Sequence, residues 1–285
     1  MRRSWSTSTG GLEEKFEELE RRGEGAHMAH LYYGDPSGEF SIKLAEVLVR
    51  NGADILEIGI PFSDPIADGP IFRTACERAL KAGVTPDMCI EAIRRMREGG
   101  LDAPVVLTTY FNIPYVMGFR RFLEKIREAC VQGLLIPDLP LEEAEPYLNL
   151  VAEKEIHLIL QVAPTTSKKR LKRILTASSG FLYLISLEGV TGSDLREGLY
   201  TFRMIRQIKA MSDIPVMVGF GISRREHAEA FVSAGADGVV VGSAYARIYS
   251  KDLRDPSKTL PEVAELAREI KLGCRTGYTR RKGKL

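Results

Sequence analysis

Residues 57 to 70 read EIGIPFSDPIADGP, a stretch that sets three acids where acids are not usually wanted. Glu57 sits inside an apolar run that reads as a buried strand, and Asp64 and Asp68 follow in a loop between prolines. A carboxyl group removed from water favours its neutral form, so its pKa rises toward neutrality, where it can both give and take a proton. A carboxylate farther out, better hydrated, keeps its charge, and Asp68 is the expected holder of that role. Two carboxyl groups with separated pKa values are the usual arrangement of an acid/base site. The competing reading is structural: Glu57 hydrogen-bonds a neighbouring backbone group or tyrosine, and DPIAD is a rigid turn.

A second set of residues lies near the other end of the chain. VGFGIS (218–223) and VGSA (241–244) each follow an apolar run. Glycine lets backbone amides approach a ligand closely, and Ser243 is placed to cap a short helix whose positive end favours an anion. The glycines of these two loops and Ser243 are therefore candidates for a phosphate site, tight turns being the alternative. Between them and the acids, SLEGVTGSDLREG (186–198) supplies Gly189, Thr191 and Gly192 in a loop polar and long enough to act as a lid. Tyr110, Leu135, Tyr183 and Phe220 stand at ends of apolar runs, where they wall a pocket for a flat apolar ligand part or simply pack the core.

Other chemistries lack their residues. None of the apolar runs holds a lysine, which removes a strand-borne Schiff-base amine. His27 and His30 are three apart on a strand and face opposite sides, so they cannot form a metal pair. His157 begins a run, at the wrong end of it, and His227 lies in a helical segment. The cysteines, Cys76, Cys89, Cys130 and Cys274, show no CxxC spacing, so neither a disulfide framework nor a zinc site is expected. A net charge of +2 gives no electrostatic reason to expect nucleic acid or a membrane surface. MRRSWSTSTGG has no apolar segment behind its arginines, and a soluble cytoplasmic protein is expected.

These groups need a scaffold that gathers distant segments. Apolar runs at 28–33, 54–59, 104–109, 132–137, 156–162, 181–186, 214–219 and 237–242 are apolar on both alternations, as strands buried on both faces should be. Amphipathic segments lie between them; at 40–51 Phe40, Leu44, Val47 and Leu48 recur at helical spacing. VLVRNGADILEIG (47–59) and AFVSAGADGVVVG (230–242) repeat one module, with Gly52 and Gly235 ending a helix in the left-handed region. The length of 285 residues and about eight alternations predict a single-domain (β/α)8 TIM barrel with an extra N-terminal helix. An open doubly wound sheet is the alternative, weakened by the lack of GxGxxG after the first strand. The expected layout is a disordered segment over 1–10, the barrel over 11–272, and a basic, flexible tail over 273–285.

EIGIPFSDPIADGP, together with GDP (34–36), GVTG (189–192), GFGIS (219–223) and GSA (242–244), resembles the tryptophan synthase alpha subunit family over roughly residues 11 to 250. The resemblance implies retro-aldol cleavage of indole-3-glycerol phosphate to indole and glyceraldehyde 3-phosphate in tryptophan biosynthesis. It implies that Glu57 handles the protons at indole C3 and the glycerol hydroxyl, while Asp68 pairs with the indole N–H. Tyr183 then lies near the glycerol portion, and Thr191 contacts Asp68 when the site closes. Gly192, Gly221, Gly242 and Ser243 match phosphate positions; Tyr110, Leu135 and Phe220 match the indole pocket and its surroundings. Asp64 is implied in signalling to a pyridoxal-phosphate beta subunit, in an alpha2beta2 assembly that receives indole through a tunnel. No metal or organic cofactor is implied for this subunit. The chain departs from the family at Leu187 and Glu188 before GVTG, at Tyr32, where a small residue is usual, and at His30, which replaces a common aromatic. A chiefly non-catalytic activator of the beta subunit and a free-standing lyase remain as alternatives.

Overall fold

A computed structural model describes residues 11–186 and 195–283. The expected lid residues Leu187, Glu188, Gly189, Thr191 and Gly192, and the segment 1–10, lie outside the described residues. Among the described residues nine strand segments run parallel: β1 (Ala26–Tyr32), β2 (Ile55–Gly59), β3 (Val105–Thr108), β4 (Gly133–Leu135), β5 (His157–Ile159), β6 (Gln161–Val162), β7 (Leu182–Ile185), β8 (Val216–Gly219) and β9 (Gly238–Val241). Their order is β5-β4-β3-β2-β1-β9-β8-β7-β6. β5 and β6 are two halves of one run that faces a neighbour on each side: Ile159 pairs with Leu135 of β4, while the Leu160 carbonyl accepts from Tyr183 N–H at the start of the β6–β7 ladder (3.0 Å). The sheet thereby closes on itself as an eight-stranded barrel with helices outside, the architecture expected from the sequence.

Strand alternation divides the apolar residues into two cores. Leu56, Ile58 and Leu107 face outward against the helices. Ala26, Met28, Ile55, Val106, Leu135, Ile159, Phe181, Tyr183, Met217 and Val240 face the barrel interior. The extra helix, Leu12–Arg22, adds Leu12, Phe16 and Leu19 to that inner core. It closes the N-terminal end of the barrel, because Leu12 lies against Gly133, which opens β4, and Glu13 reaches His157, which opens β5, at 3.0 Å. The C-terminal end is left for chemistry. Gly52 and Gly235 take φ of 109° and 116°, as the repeated module requires.

The tail expected to be flexible from residue 273 is instead the second half of a helix, Leu260–Lys282, whose residues Gly273, Cys274, Gly277 and Tyr278 are buried. Its basic content concealed a stripe of small and aromatic residues at helical spacing, which packs on helix Arg225–Ser233. Its arginines are paired: Arg275 with Glu24 (3.1 Å), Arg281 with Asp237 (3.3 Å) and Arg280 with Glu229. Buried Lys271 on the same helix binds Asp54 (2.7 Å) and Glu24 (3.0 Å) at the N-terminal end of the barrel. A methyl group on Gly273 would stand 2.4 Å from the Arg225 carbonyl oxygen, a rigid backbone atom. Gly273→Ala should therefore force the helices apart and cost about 1–3 kcal/mol; thermal unfolding reads this as a lowered midpoint, and an unchanged midpoint would show that the helix is not tightly docked.

Candidate active site

Glu57 points into the barrel from the middle of β2 and is 2% exposed. Its neighbours on β1 and β3 are His30 and Val106 by register. Thr108, two residues farther along β3 and on the same inward face, donates its hydroxyl to Glu57 Oε1 at 2.6 Å. His30 Nδ1 lies 3.4 Å from the same oxygen. Burial pushes the Glu57 carboxyl up to about 7, with the Thr108 hydrogen bond pulling weakly the other way. Burial also pushes His30 down to about 4, against the pull of Asp68. Each group is driven toward its neutral form, so their contact is that of a neutral imidazole beside a carboxyl, not an ion pair. Glu57 Oε2 and His30 Nε2 are buried without a hydrogen-bond partner among the described residues. Orphaned polar atoms of this kind in a barrel mouth are places where a ligand completes the bonding.

Asp68 ends the loop after β2, just before helix Pro70–Lys81, and is half-buried. Its Oδ2 accepts two short hydrogen bonds, from Tyr32 Oη and Tyr110 Oη, both 2.6 Å. Tyr110 in turn accepts the Ala67 backbone N–H (3.1 Å) and stacks on Phe62 at 5.3 Å. No hydrogen bond among the described residues reaches Asp68 Oδ1. Tyr183 projects inward from β7, and the charges of Glu57 and Asp68 add to the effect of burial in raising its hydroxyl pKa. The geometry thus unites Glu57, Asp68, Tyr110 and Tyr183 at one end of the barrel, with Leu135 in the inner core beside them. Asp64 stands apart: it is exposed and accepts the Ser63 hydroxyl at 2.6 Å.

The glycine loops follow β8 and β9. Phe220 and Gly221 both take positive φ, 74° and 73°. For phenylalanine that conformation is strained, and strain of this kind gathers at functional loops. Ser186 holds it, sharing its hydroxyl proton between the carbonyls of Gly219 (2.9 Å) and Phe220 (2.6 Å). Phe220 is 36% exposed, and its ring meets Tyr183 edge-on at 6.4 Å. Gly242 is needed for space rather than for its backbone freedom, since a Cβ there would lie 2.6 Å from the Phe72 ring and 3.0 Å from His30 Cβ. Ser243 does not cap the following helix, contrary to expectation: Gly242 is the cap position and Ser243 is the first residue of helix Ser243–Tyr249. The apolar run simply extends one residue less far than the sequence pattern indicates.

GDP (34–36) acts at one remove. Buried Asp35 accepts two bonds from Arg78 (2.6 and 2.9 Å) and one from Tyr249 (2.7 Å), tying the loop after β1 to the helices that follow β2 and β9. Those helices begin where Asp68 and Ser243 stand.

The family model of the tryptophan synthase alpha chain matches residues 16–275. The chain belongs to the tryptophan synthase alpha chain family. It is 43% identical to the tryptophan synthase alpha chain of Methanopyrus kandleri over 272 residues, 95% of this chain and 97% of that one. With that of Methanocaldococcus jannaschii it shares 46% identity over 242 residues, 85% of each. The crystal structure of tryptophan synthase subunit alpha from Legionella pneumophila superposes with a TM-score of 0.84 at 32% identity, covering 92% of this chain and 97% of that one. Thr108 and Phe62 were not singled out from the sequence of this tryptophan synthase alpha family member. Thr108 is a polar residue on the inward alternation of β3, a signal that becomes readable only once the register with β2 is known.

Because the folded-state pKa of Glu57 lies above its ordinary 4.5, the protonated carboxyl contributes stability that is complete below about pH 4.5 and is lost as pH rises through about 7. Glu57→Gln cannot ionise and keeps the acceptor for Thr108. Between about pH 5 and pH 8 its unfolding free energy should therefore gain on that of the wild type by on the order of 2 kcal/mol. Denaturant titrations at the two pH values check this, and a pH-independent difference would mean that Glu57 titrates normally.

Proposed function

We propose that the chain cleaves indole-3-glycerol phosphate by a retro-aldol reaction, as the alpha subunit of a tryptophan synthase. Family membership supports the reaction and its class, a carbon–carbon lyase. The observation that carries the assignment of roles is the pairing, in one barrel mouth, of a dry carboxyl near pKa 7 with a second carboxylate on tyrosine hydroxyls. Glu57, half protonated at neutral pH, delivers a proton to indole C3 and takes the proton of the glycerol hydroxyl. The carbon–carbon bond then breaks, its electrons return to the ring, and the hydroxyl carbon becomes the aldehyde of glyceraldehyde 3-phosphate. While C3 carries the added proton the ring is positive, and Asp68 accepts the indole N–H and offsets that charge. Oε2 of Glu57, without a partner among the described residues, supports the contact to the hydroxyl, and the two tyrosine bonds on Oδ2 of Asp68 support the contact of its other oxygen to the N–H. Tyr183 lies by the glycerol portion, Tyr110, Leu135 and Phe220 by the indole, and Gly221, Gly242 and Ser243 by the phosphate. Thr191 and Gly192 complete the lid and the phosphate site in the same reading.

The expected partner is a pyridoxal-phosphate beta subunit in an alpha2beta2 assembly, with Asp64 relaying the state of the site. Exposed apolar side chains beside the Asp68 loop support such a contact: Ile66 in the loop is 79% exposed, and Val116, on helix Asn112–Met117 behind Tyr110, is 77% exposed. Among the described residues no helix is long and apolar enough to cross a membrane, and all four cysteines are free thiols, which supports work in a reducing cytoplasm.

Indole release from indole-3-glycerol phosphate, followed with and without a beta subunit, tests the reading. Turnover is expected in both conditions, and absence of turnover in both would sink the lyase assignment. Glu57→Gln and Asp68→Asn should each lower kcat by about a thousandfold or more with the fold intact; near-normal rates in either variant would remove the role given to that residue. Val116→Asp should leave the activity of the isolated chain unchanged and reduce stimulation by the beta subunit, which a titration of rate against beta subunit reads directly.

A further inference from the structure

We propose that Tyr32 is a positioning residue for Asp68, and that with Tyr110 it latches the catalytic loop to the barrel before any ligand or partner arrives. The inference rests on the lyase reading above and adds to it a regulation of the same site. Tyr32 is the last residue of β1 and lies on the same inward face as His30. Its ring is buried, 5.2 Å from His30 and 5.1 Å from Phe72 between centroids. By register it stands opposite Gly59, where a Cβ would come within 2.5 Å of the tyrosine ring. The absence of a side chain at Gly59 is thus what lets the ring lie across the top of β2, directly above the level of Glu57.

From that fixed ring the hydroxyl reaches Asp68 Oδ2 at 2.6 Å, on the same oxygen that Tyr110 Oη holds at 2.6 Å. Two donors from different strand ends, β1 and β3, fix one carboxylate oxygen and so fix the plane of the carboxylate. The other oxygen is then aimed by geometry and left free to accept. Burial raises the pKa of both phenols, so both remain donors throughout the working range of pH. The Ala67 N–H donates to Tyr110 Oη, so the loop backbone is held as well as its side chain. Hydrogen bonds to a charged acceptor are stronger than neutral ones, and a group held in place pays no ordering cost when substrate binds. The consequence is a loop whose catalytic carboxylate is preset in the isolated chain, and a lyase that depends less on its beta subunit for assembling Asp68.

Tyr32→Phe removes only the hydroxyl and keeps the ring that fills the space over Gly59. In the isolated chain this variant should lower kcat about tenfold and change KM by less than about threefold, because Asp68 counts most when the ring is positive. Stimulation by the beta subunit should rise in proportion, as the partner restores order that the latch no longer supplies. Amide exchange at Ala67 and Asp68 in the ligand-free chain should quicken. A variant that keeps its kcat while the wild type turns over overturns the proposal and leaves the lyase reading standing. Equal changes in kcat with and without the beta subunit would overturn the latch as well. If the wild type itself shows no turnover, the lyase reading fails, and unchanged amide exchange in Tyr32→Phe then overturns the latch on its own.

Discussion

A closed parallel barrel has an interior that water does not enter, and a carboxyl group fixed there cannot behave as it does in solution. The site depends on that constraint. Glu57 is held on β2 between strands that are apolar on both faces, and its pKa near 7 follows from the lost hydration, with the Thr108 hydroxyl donating to it. The same closure gives Asp68 its contrasting character. It stands on the loop beyond the strand end, half in water, and receives hydroxyl donors from the ends of the two strands beside β2. One architecture therefore produces two carboxyl environments a few residues apart in sequence, and acid/base chemistry needs that difference.

The rest of the molecule can be read as what keeps the mouth open and the bottom shut. Helix Leu12–Arg22 fills the N-terminal end with Leu12, Phe16 and Leu19, so polar groups at the other end are not in contact with solvent from below. Asp35, Arg78 and Tyr249 bind together the helices that lead away from Asp68 and from Gly242. Lys271 and the C-terminal helix fasten the outer layer to the barrel's lower end. None of these groups faces the site, yet each fixes an element that does.

Much of this was legible in the chain itself. Every expected strand run contains a strand, because residues buried on both faces leave continuous apolar runs that polar turns interrupt. Glu57 stood out as a carboxyl inside such a run, and Asp68 as a better hydrated carboxylate in the loop that follows it. The basic end of the chain misled for a comparable reason. Arginine and lysine dominate its composition, while the residues that dock it, Gly273, Cys274, Gly277 and Tyr278, are small or single and show only as a helical stripe. Ser243 was misplaced by one position, a difference that local preference does not resolve and hydrogen bonding does.

The sequence by itself determined the alternation of elements and the family to which the chain belongs, and it marked two carboxyl groups, one within an apolar run and one in the loop after it. Those follow from local patterns: burial on both faces of a strand, glycine at a helix end, acid within an apolar run. Only the tertiary structure decided what those carboxyl groups touch. Thr108 meets Glu57 and Tyr32 meets Asp68 across 51 and 36 residues of chain, through strand register and the missing side chain of Gly59. Contacts of that kind are set by the closure of the barrel, which no segment of the sequence encodes alone.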